Sequence, residues 1–435
     1  MSKGSIAVTF AGAFCVFWAA LAVQGGGTAP PNVVLLSVDT LRADYLGCYG
    51  HEFNSSPNID AFAKQGLLFE DCVCEVPLTN PSFGAMLSSL YPRMTGTTKN
   101  GIRMPKSVPL MPEIFKAAGY QTWCVQSNWT LKGRLSGLSR GFDVYRDDFN
   151  RKRWGFIKGE RDGENVTDTA LEILRRRDSA KPFFFWVHYS DPHAPYEFHK
   201  QFNPRGKRPL PIIRRDRVRA KYDSEVAYAD FHIGRFLEAL PRDNTVVLFV
   251  ADHGESLYEH DYLGHGRRIY QTMLHIPLII RAAGIEPGRA RTPVCVLDIA
   301  PTLLAMAGLS PAEGMLGRNM LSKGSALPST RFVETYGGAV PKLPGIRTIL
   351  RDAGPQRHGV IHDGWKLIRG SGPELYYLPE DPNETKDLAE EHPERVRELT
   401  DLIDKWHAQC PRSQAAAAHL NEDDVQALKS LGYLE

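Results

Sequence analysis

The chain has 435 residues, 43% of them hydrophobic, with 52 Lys and Arg against 50 Asp and Glu for a formal net charge of +2. Size and apolar content suit a globular protein with a substantial core and exclude a disordered or fibrous one. The near balance of charge excludes the broad basic field of a nucleic-acid binder, so partners have to be read from sites.

In chain order, Lys3, the apolar run from Ile6 to Val23 and Ala20-Leu21-Ala22 read as an export signal with its cleavage site. The run is slightly shorter than the roughly 20 residues that comfortably span a bilayer, so cleavage is expected, with a single N-terminal membrane anchor as the alternative. The mature chain is then expected outside the cytoplasm, as a secreted, periplasmic or membrane-anchored protein. Cys15 falls in the run, and Cys48, Cys72, Cys74, Cys124, Cys295 and Cys410 follow it. Their number is even, but their spacing does not reveal a pairing.

After the linker Gly25-Gly26-Gly27, Asn32 to Val38 is an apolar run ending at Asp39. This is the pattern of a buried parallel strand that delivers a residue at its carboxyl end, where open α/β sheets place their sites. Similar runs at Phe183 to Val187, Thr245 to Val250 and Pro277 to Ile280 alternate with helical periodicity. The clearest helix runs from Tyr222 to Leu240, with Val226, Ala229, Ile233, Phe236 and Leu240 in one stripe. The alternation predicts an α/β fold, a doubly wound, mostly parallel sheet flanked by helices. Beyond Lys323-Gly324, strand-like pieces at Gly359 to Ile361, Trp365 to Arg369 and Glu374 to Leu378, then a helix from Pro393 to Trp406, predict a small C-terminal α+β domain. The expected division is 1–27 targeting segment and linker, 28–322 main domain, 323–410 small domain and 411–435 tail. No chemistry is assigned to the tail.

Four clusters carry candidate chemistry. Asp39 either caps a turn or holds a cation, since a buried carboxylate without a partner is costly. Ala251-Asp252-His253-Gly254 repeats the arrangement at another strand end, and two carboxylates with an imidazole form a ligand set for a divalent metal. Pro77-Leu78-Thr79-Asn80-Pro81-Ser82 precedes an apolar helix from Phe83 to Leu90. Here Thr79 or Asn80 is a good N-cap with Pro81 at the first helical position, while the same helix start suits a phosphate or sulfate beside an activated hydroxyl. The residues leave both readings open. Asp191-Pro192-His193-Ala194-Pro195 and Gly264-His265-Gly266 bring two histidines near strand ends that already supply ligands. The stretch from Arg205 to Lys221, with eight Arg and Lys, reads as a solvated loop or a docking patch for an acidic substrate. Asn54, Asn128, Asn165 and Asn383 each begin an Asn-x-Ser/Thr sequon.

The ordered set of motifs resembles the sulfatase family, a branch of the alkaline phosphatase superfamily, over nearly the whole mature chain. The resemblance lies in Asn32 to Asp44, Ser56-Pro57-Asn58-Ile59-Asp60, Asp191-Pro192-His193-Ala194-Pro195-Tyr196, Asp252-His253-Gly254-Glu255 and Gly264-His265-Gly266. The C-terminal pattern is similar at Trp365-Lys366-Leu367-Ile368, Glu374-Leu375-Tyr376, Asp381-Pro382-Asn383-Glu384-Thr385 and Leu388-Ala389. The departures are specific. Where the family carries Cys-x-Pro-Ser-Arg, whose Cys or Ser becomes formylglycine, this chain has Thr79-Asn80-Pro81-Ser82-Phe83, and oxidation of Thr would give a ketone. Thr40 replaces a second Asp, and the Gly-Lys-Trp-His stretch is replaced near Gln126-Ser127-Asn128-Trp129.

Thr at this position looks like the nucleophile of nucleotide pyrophosphatases and phosphodiesterases, and of phosphoethanolamine and lipoteichoic-acid transferases. The resemblance implies one metal site made of Asp39, Thr79, Asp252 and His253. It implies that His193 and His265 contact the ester, one of them protonating the leaving group, or with Asp191 help bind a second ion. Zinc or manganese is expected, with calcium as the alternative. The expected activity is metal-dependent hydrolysis of sulfate or phosphate esters by Thr79, with phosphate mono- or diesters favoured. Substrates of this kind are small molecules, glycans or lipid head groups. The alternatives are sulfuric ester hydrolysis without formylglycine, phospho-group transfer, and a catalytically inactive glycan-binding protein.

Overall fold

The computed structural model describes residues 29–148, 152–153, 156–157, 160–322, 329–337 and 356–431. The expected export signal and the expected domain boundary at 323 lie outside the described residues. Apolar runs buried on both faces assemble one sheet from β1 (Asn32–Val38), β2 (Leu67–Phe69), β3 (Gln121–Val125), β4 (Val144–Arg146), β5 (Phe183–Tyr189), β6 (Thr245–Ala251), β7 (Leu278–Arg281) and β8 (Gly288–Ala290). Its order is β8-β2-β7-β6-β1-β5-β3-β4. From β6 to β4 neighbouring strands are parallel, whereas β7 runs antiparallel to both β6 and β2. The sheet is therefore mostly parallel, as expected. In β1, β5 and β6 every residue but Asn32 is buried, which explains why these strands read as continuous apolar runs.

The flanking helices include α1 (Thr79–Ser88), α2 (Gly163–Arg175), α3 (Arg214–Ala239) and α4 (Ile299–Met306). The expected stripe of α3 is buried, but the helix starts eight residues earlier, through a charged turn that carries no apolar period. Its Tyr222 hydroxyl donates to the Thr40 carbonyl at 2.6 Å and so ties the helix to the end of β1. Among the described residues no helix is long and apolar enough to cross a membrane.

The C-terminal part is a four-stranded antiparallel sheet of β9 (Arg331–Thr335), β10 (Arg357–His362), β11 (Trp365–Arg369) and β12 (Pro373–Tyr377). Leu399, Ile403 and Trp406 of α5 (Pro393–Gln409) pack on Val360, Leu367 and Leu375 of that sheet. The six cysteines beyond residue 28 are all free thiols. The tail is part of the fold. Ala418 N–H donates to the Gly101 carbonyl at 2.7 Å, and α6 (Glu422–Ser430) buries Ala427 and Leu428 against Val76, Leu78, Trp129 and Leu135.

A buried ion pair and a buried carboxyl are the ionisable groups most sensitive to substitution in this region. Lys366 is fully buried against the Glu384 carboxylate, whose other oxygen accepts the Gln271 N–H at 2.5 Å. Removing one partner strands the other charge, so Glu384→Ala is expected to cost about 3–5 kcal/mol in chemical denaturation, and Glu384→Gln less. Glu75 is only 2% exposed, and burial pushes its carboxyl up from 4.5 to about 8. A raised carboxyl keeps its proton in the folded state while the unfolded chain releases it. Stability from this group is therefore greatest below about pH 4.5 and is lost as pH rises toward about 8. Glu75→Gln should gain melting temperature relative to the wild type across that window; parallel profiles would refute the assignment.

Candidate active site

The site is built by strand register. Val38 of β1 lies opposite Ala251 of β6, so the next residues, Asp39 and Asp252, leave the sheet side by side and fully buried. Asp252 Oδ1 accepts the N–H of His253 at 2.8 Å and of Thr40 at 3.1 Å. Thr40 has φ +54°, a left-handed conformation costly for a β-branched residue, and it is held there by that bond and by Tyr222. Ligand atoms of Asp39, Asp252 and His253 all lie within 4.8 Å of one another. The His253 Nδ1 is 2.9 Å from the Gly254 carbonyl, which can only accept, so Nδ1 carries the proton and Nε2 offers its lone pair to the cluster.

Electrostatics match a cation-binding role. Burial, then the neighbouring Asp39 charge, push the Asp252 carboxyl well up. Burial would raise Asp39 too, but His193 and the imidazoles of His188 and His253 hold it below the usual carboxylate range. Burial and His265 bring His253 down to about 3, which keeps it a neutral ligand. Asp39 Oδ1 and Asp252 Oδ2 are buried without hydrogen-bond partners among the described residues. Two acidic oxygens and a neutral imidazole nitrogen with that deficit fit a divalent metal.

Thr79 joins this cluster, with Oγ1 3.5 Å from His253 Nε2. The expected cap does not form. α1 begins at Thr79 itself, and the extended Leu78 at the cap position offers no side-chain oxygen. The Asn80 N–H is taken by Asn100 Oδ1 at 3.0 Å and Pro81 has none, so the helix start offers an anion fewer amides than its position implies. Ser82 anchors the turn by donating to the Asp252 carbonyl at 2.7 Å.

His193 and His265 lie beside the cluster, the His265 ring 4.5 Å from that of His253 and 5.3 Å from that of His193. A carboxylate stands beside each: Glu255 Oε1 is hydrogen-bonded to His265 Nδ1 at 3.1 Å, and Glu160 Oε1 lies 2.7 Å from His193 Nδ1 without hydrogen-bond geometry. Asp191 does not join the Asp39 set. Its oxygen lies instead with His199 and Glu225, because the turn after β5 sends His193 inward and Asp191 toward α3.

Asn128, first read as a glycosylation sequon, is fully buried, and its amide donates to Asp39 Oδ2 at 2.6 Å. The adjacent Trp129 indole donates to Asp424 Oδ1 of α6 at 2.8 Å, so the tail backs the wall of the site. His188 lies 3.7 Å from Asp39 Oδ2 and was hidden because β5 runs two residues past the apolar run. Phe83 fills the place of the expected Arg, its ring 4.8 Å from those of both Trp186 and His188. Among the described residues no Lys or Arg is hydrogen-bonded to Asp39, Thr79, Asp252 or His253.

The family model described as Sulfatase matches residues 31–309, most of the chain and all of these site residues. The chain belongs to the sulfatase family. It is 24% identical over 430 residues to an uncharacterized sulfatase, YidJ, of Escherichia coli K12, covering 83% of each chain. It also resembles a protein solved with its substrate D-glucosamine-2-N,6-O-disulfate, at a TM-score of 0.72 and 20% identity, over 88% of this chain and 98% of that one. A phosphonate monoester hydrolase of Agrobacterium radiobacter matches at a TM-score of 0.71 and 20% identity, over 90% of this chain and 98% of that one. The two structural likenesses establish the fold, a sulfatase-type sheet with its C-terminal antiparallel partner. Sulfatases are metal-dependent ester hydrolases, and the Asp39 cluster is the candidate metal site. Because Asn128 orients a ligand, Asn128→Ala is expected to weaken manganese binding about 10–100-fold in titration calorimetry.

Proposed function

We propose that this sulfatase-family hydrolase uses Thr79 as its nucleophile and favours phosphate mono- or diesters. The observation that carries the reading is the buried Thr79 hydroxyl 3.5 Å from His253 Nε2, beside two carboxylates that need a cation. An abandoned site would have little reason to retain that costly arrangement. Asp39, Asp252 and His253 would hold a divalent cation next to Thr79, zinc or manganese on this donor set. When bound, such an ion lowers the pKa of a neighbouring hydroxyl and offsets charge on the ester oxygens.

The chain's own residues then divide the work. Thr79 Oγ1 gives its proton to water and attacks the phosphorus in line, forming a phosphorylated Thr79 as the bond to the leaving oxygen breaks. His265, steadied at Nδ1 by Glu255, and His193, beside Glu160, would turn their Nε2 atoms to the ester, and one of them donates a proton to the leaving oxygen. Water then releases phosphate from Thr79. The substrate is a small molecule, a glycan or a lipid head group carrying the ester.

Sulfate ester cleavage without formylglycine is the second reading, favoured by family membership and by the sulfated glucosamine bound to one structural neighbour. Matched aryl phosphate, phosphodiester and sulfate substrates separate the two. Thr79→Ala is expected to reduce phosphate ester turnover at least about a thousandfold, the loss typical of a removed nucleophile. Undiminished turnover in the metal-loaded variant would remove Thr79 from the mechanism, and a faster rate on the sulfate would overturn the phosphate preference.

A further inference from the structure

The basic stretch before α3 is divided in its contacts. Arg205 bonds Asp223, Arg219 pairs with Glu259, Arg217 donates to the carbonyls of Pro211 and Ile212, and Lys221 donates to the Tyr196 carbonyl. Lys207, Arg208, Arg214 and Arg215 are exposed and make no ion pair among the described residues, and the only acid in the stretch is Asp216. Between these free cations stand Ile212 and Ile213, 91% and 66% exposed, the two most exposed large hydrophobic side chains among the described residues. A solvated loop has no use for adjacent bare isoleucines at its tip.

The tip is also placed with respect to the site. Arg214 opens α3, and eight residues on, about 12 Å along the helix axis, Tyr222 bonds the Thr40 carbonyl next to Asp39. The tip therefore stands beyond the carboxyl ends of the strands, on the side of the sheet that carries Asp39 and Asp252.

We propose that this tip docks the protein onto an anionic lipid surface, with Ile212 and Ile213 entering the interface and Lys207, Arg208, Arg214 and Arg215 lying on the head groups. A sulfated glycan would satisfy the four cations but leave the isoleucines in water. A bilayer supplies both an apolar layer and negative charge in the right order. Docked this way, the protein turns its catalytic face to the membrane.

The test is co-sedimentation of the full chain with phosphatidylcholine vesicles, with and without about one third phosphatidylglycerol, at low and physiological salt. Binding is expected to be at least about tenfold tighter to the anionic vesicles. Ile212→Ser/Ile213→Ser, which leaves every charge in place, should weaken it about tenfold, and Arg214→Ser/Arg215→Ser should abolish most of the preference for anionic lipid. Both variants should keep the wild-type melting temperature, which separates lost docking from lost folding. The N-terminal apolar run is common to all of these proteins, so differences among them report on the tip. Equal binding to both vesicles, or unchanged binding by the isoleucine variant, would overturn the proposal. So would capture of a sulfated polysaccharide that depends on Arg214 and Arg215 while vesicles remain unbound.

Discussion

Asp39 and Asp252 end neighbouring strands paired in register, so the sheet holds two carboxylates together where water does not reach. Like charges in such a place repel strongly, and burial magnifies the repulsion. The surroundings are organised to make the pair tolerable. Main-chain amides converge on one Asp252 oxygen, the Asn128 amide reaches Asp39, and His253 is kept neutral with its lone pair aimed between them. A divalent cation would complete this balance, which makes the same arrangement the candidate metal site.

Around that centre lie the departures from the sulfatase motif pattern. Thr79 replaces the residue that would become formylglycine, and one turn later Phe83 presents an aromatic ring to His188 where a guanidinium is expected. Thr40 gives up a carboxylate next to Asp39 and leaves a strained but neutral backbone turn. Phe83 and Thr40 place no charge beside Asp39, where the resemblance leads one to expect a guanidinium and a second carboxylate.

Much of this was legible in the sequence, for physical reasons that also explain the gaps. A strand buried on both faces is a continuous apolar run, so β1, β5 and β6 announce themselves together with the residues at their carboxyl ends. Histidines at loop turns near those ends stood out for the same reason. What stayed hidden depends on contacts distant in sequence. Asn128 sits in a polar turn whose burial is completed from α6, and nothing local distinguishes it from a surface sequon. Asp191 and His193 are two residues apart and read as one unit, yet the turn aims them at different partners. Whether Thr79 caps its helix or begins it is a question of backbone geometry that Leu78 answers only in three dimensions.

The bond between Trp129 and Asp424 joins residues 295 positions apart. Closing so long a loop is entropically unfavourable, and it gains little until the sheet and the intervening segments are already in place. Folding of the central sheet and completion of the wall behind Asn128 are then separable events. A chain that has built its core but not yet seated α6 would hold Asp39 and Asp252 together without the backing that aligns them. The ligand geometry at Asp39 thus depends on a contact made by the far end of the chain.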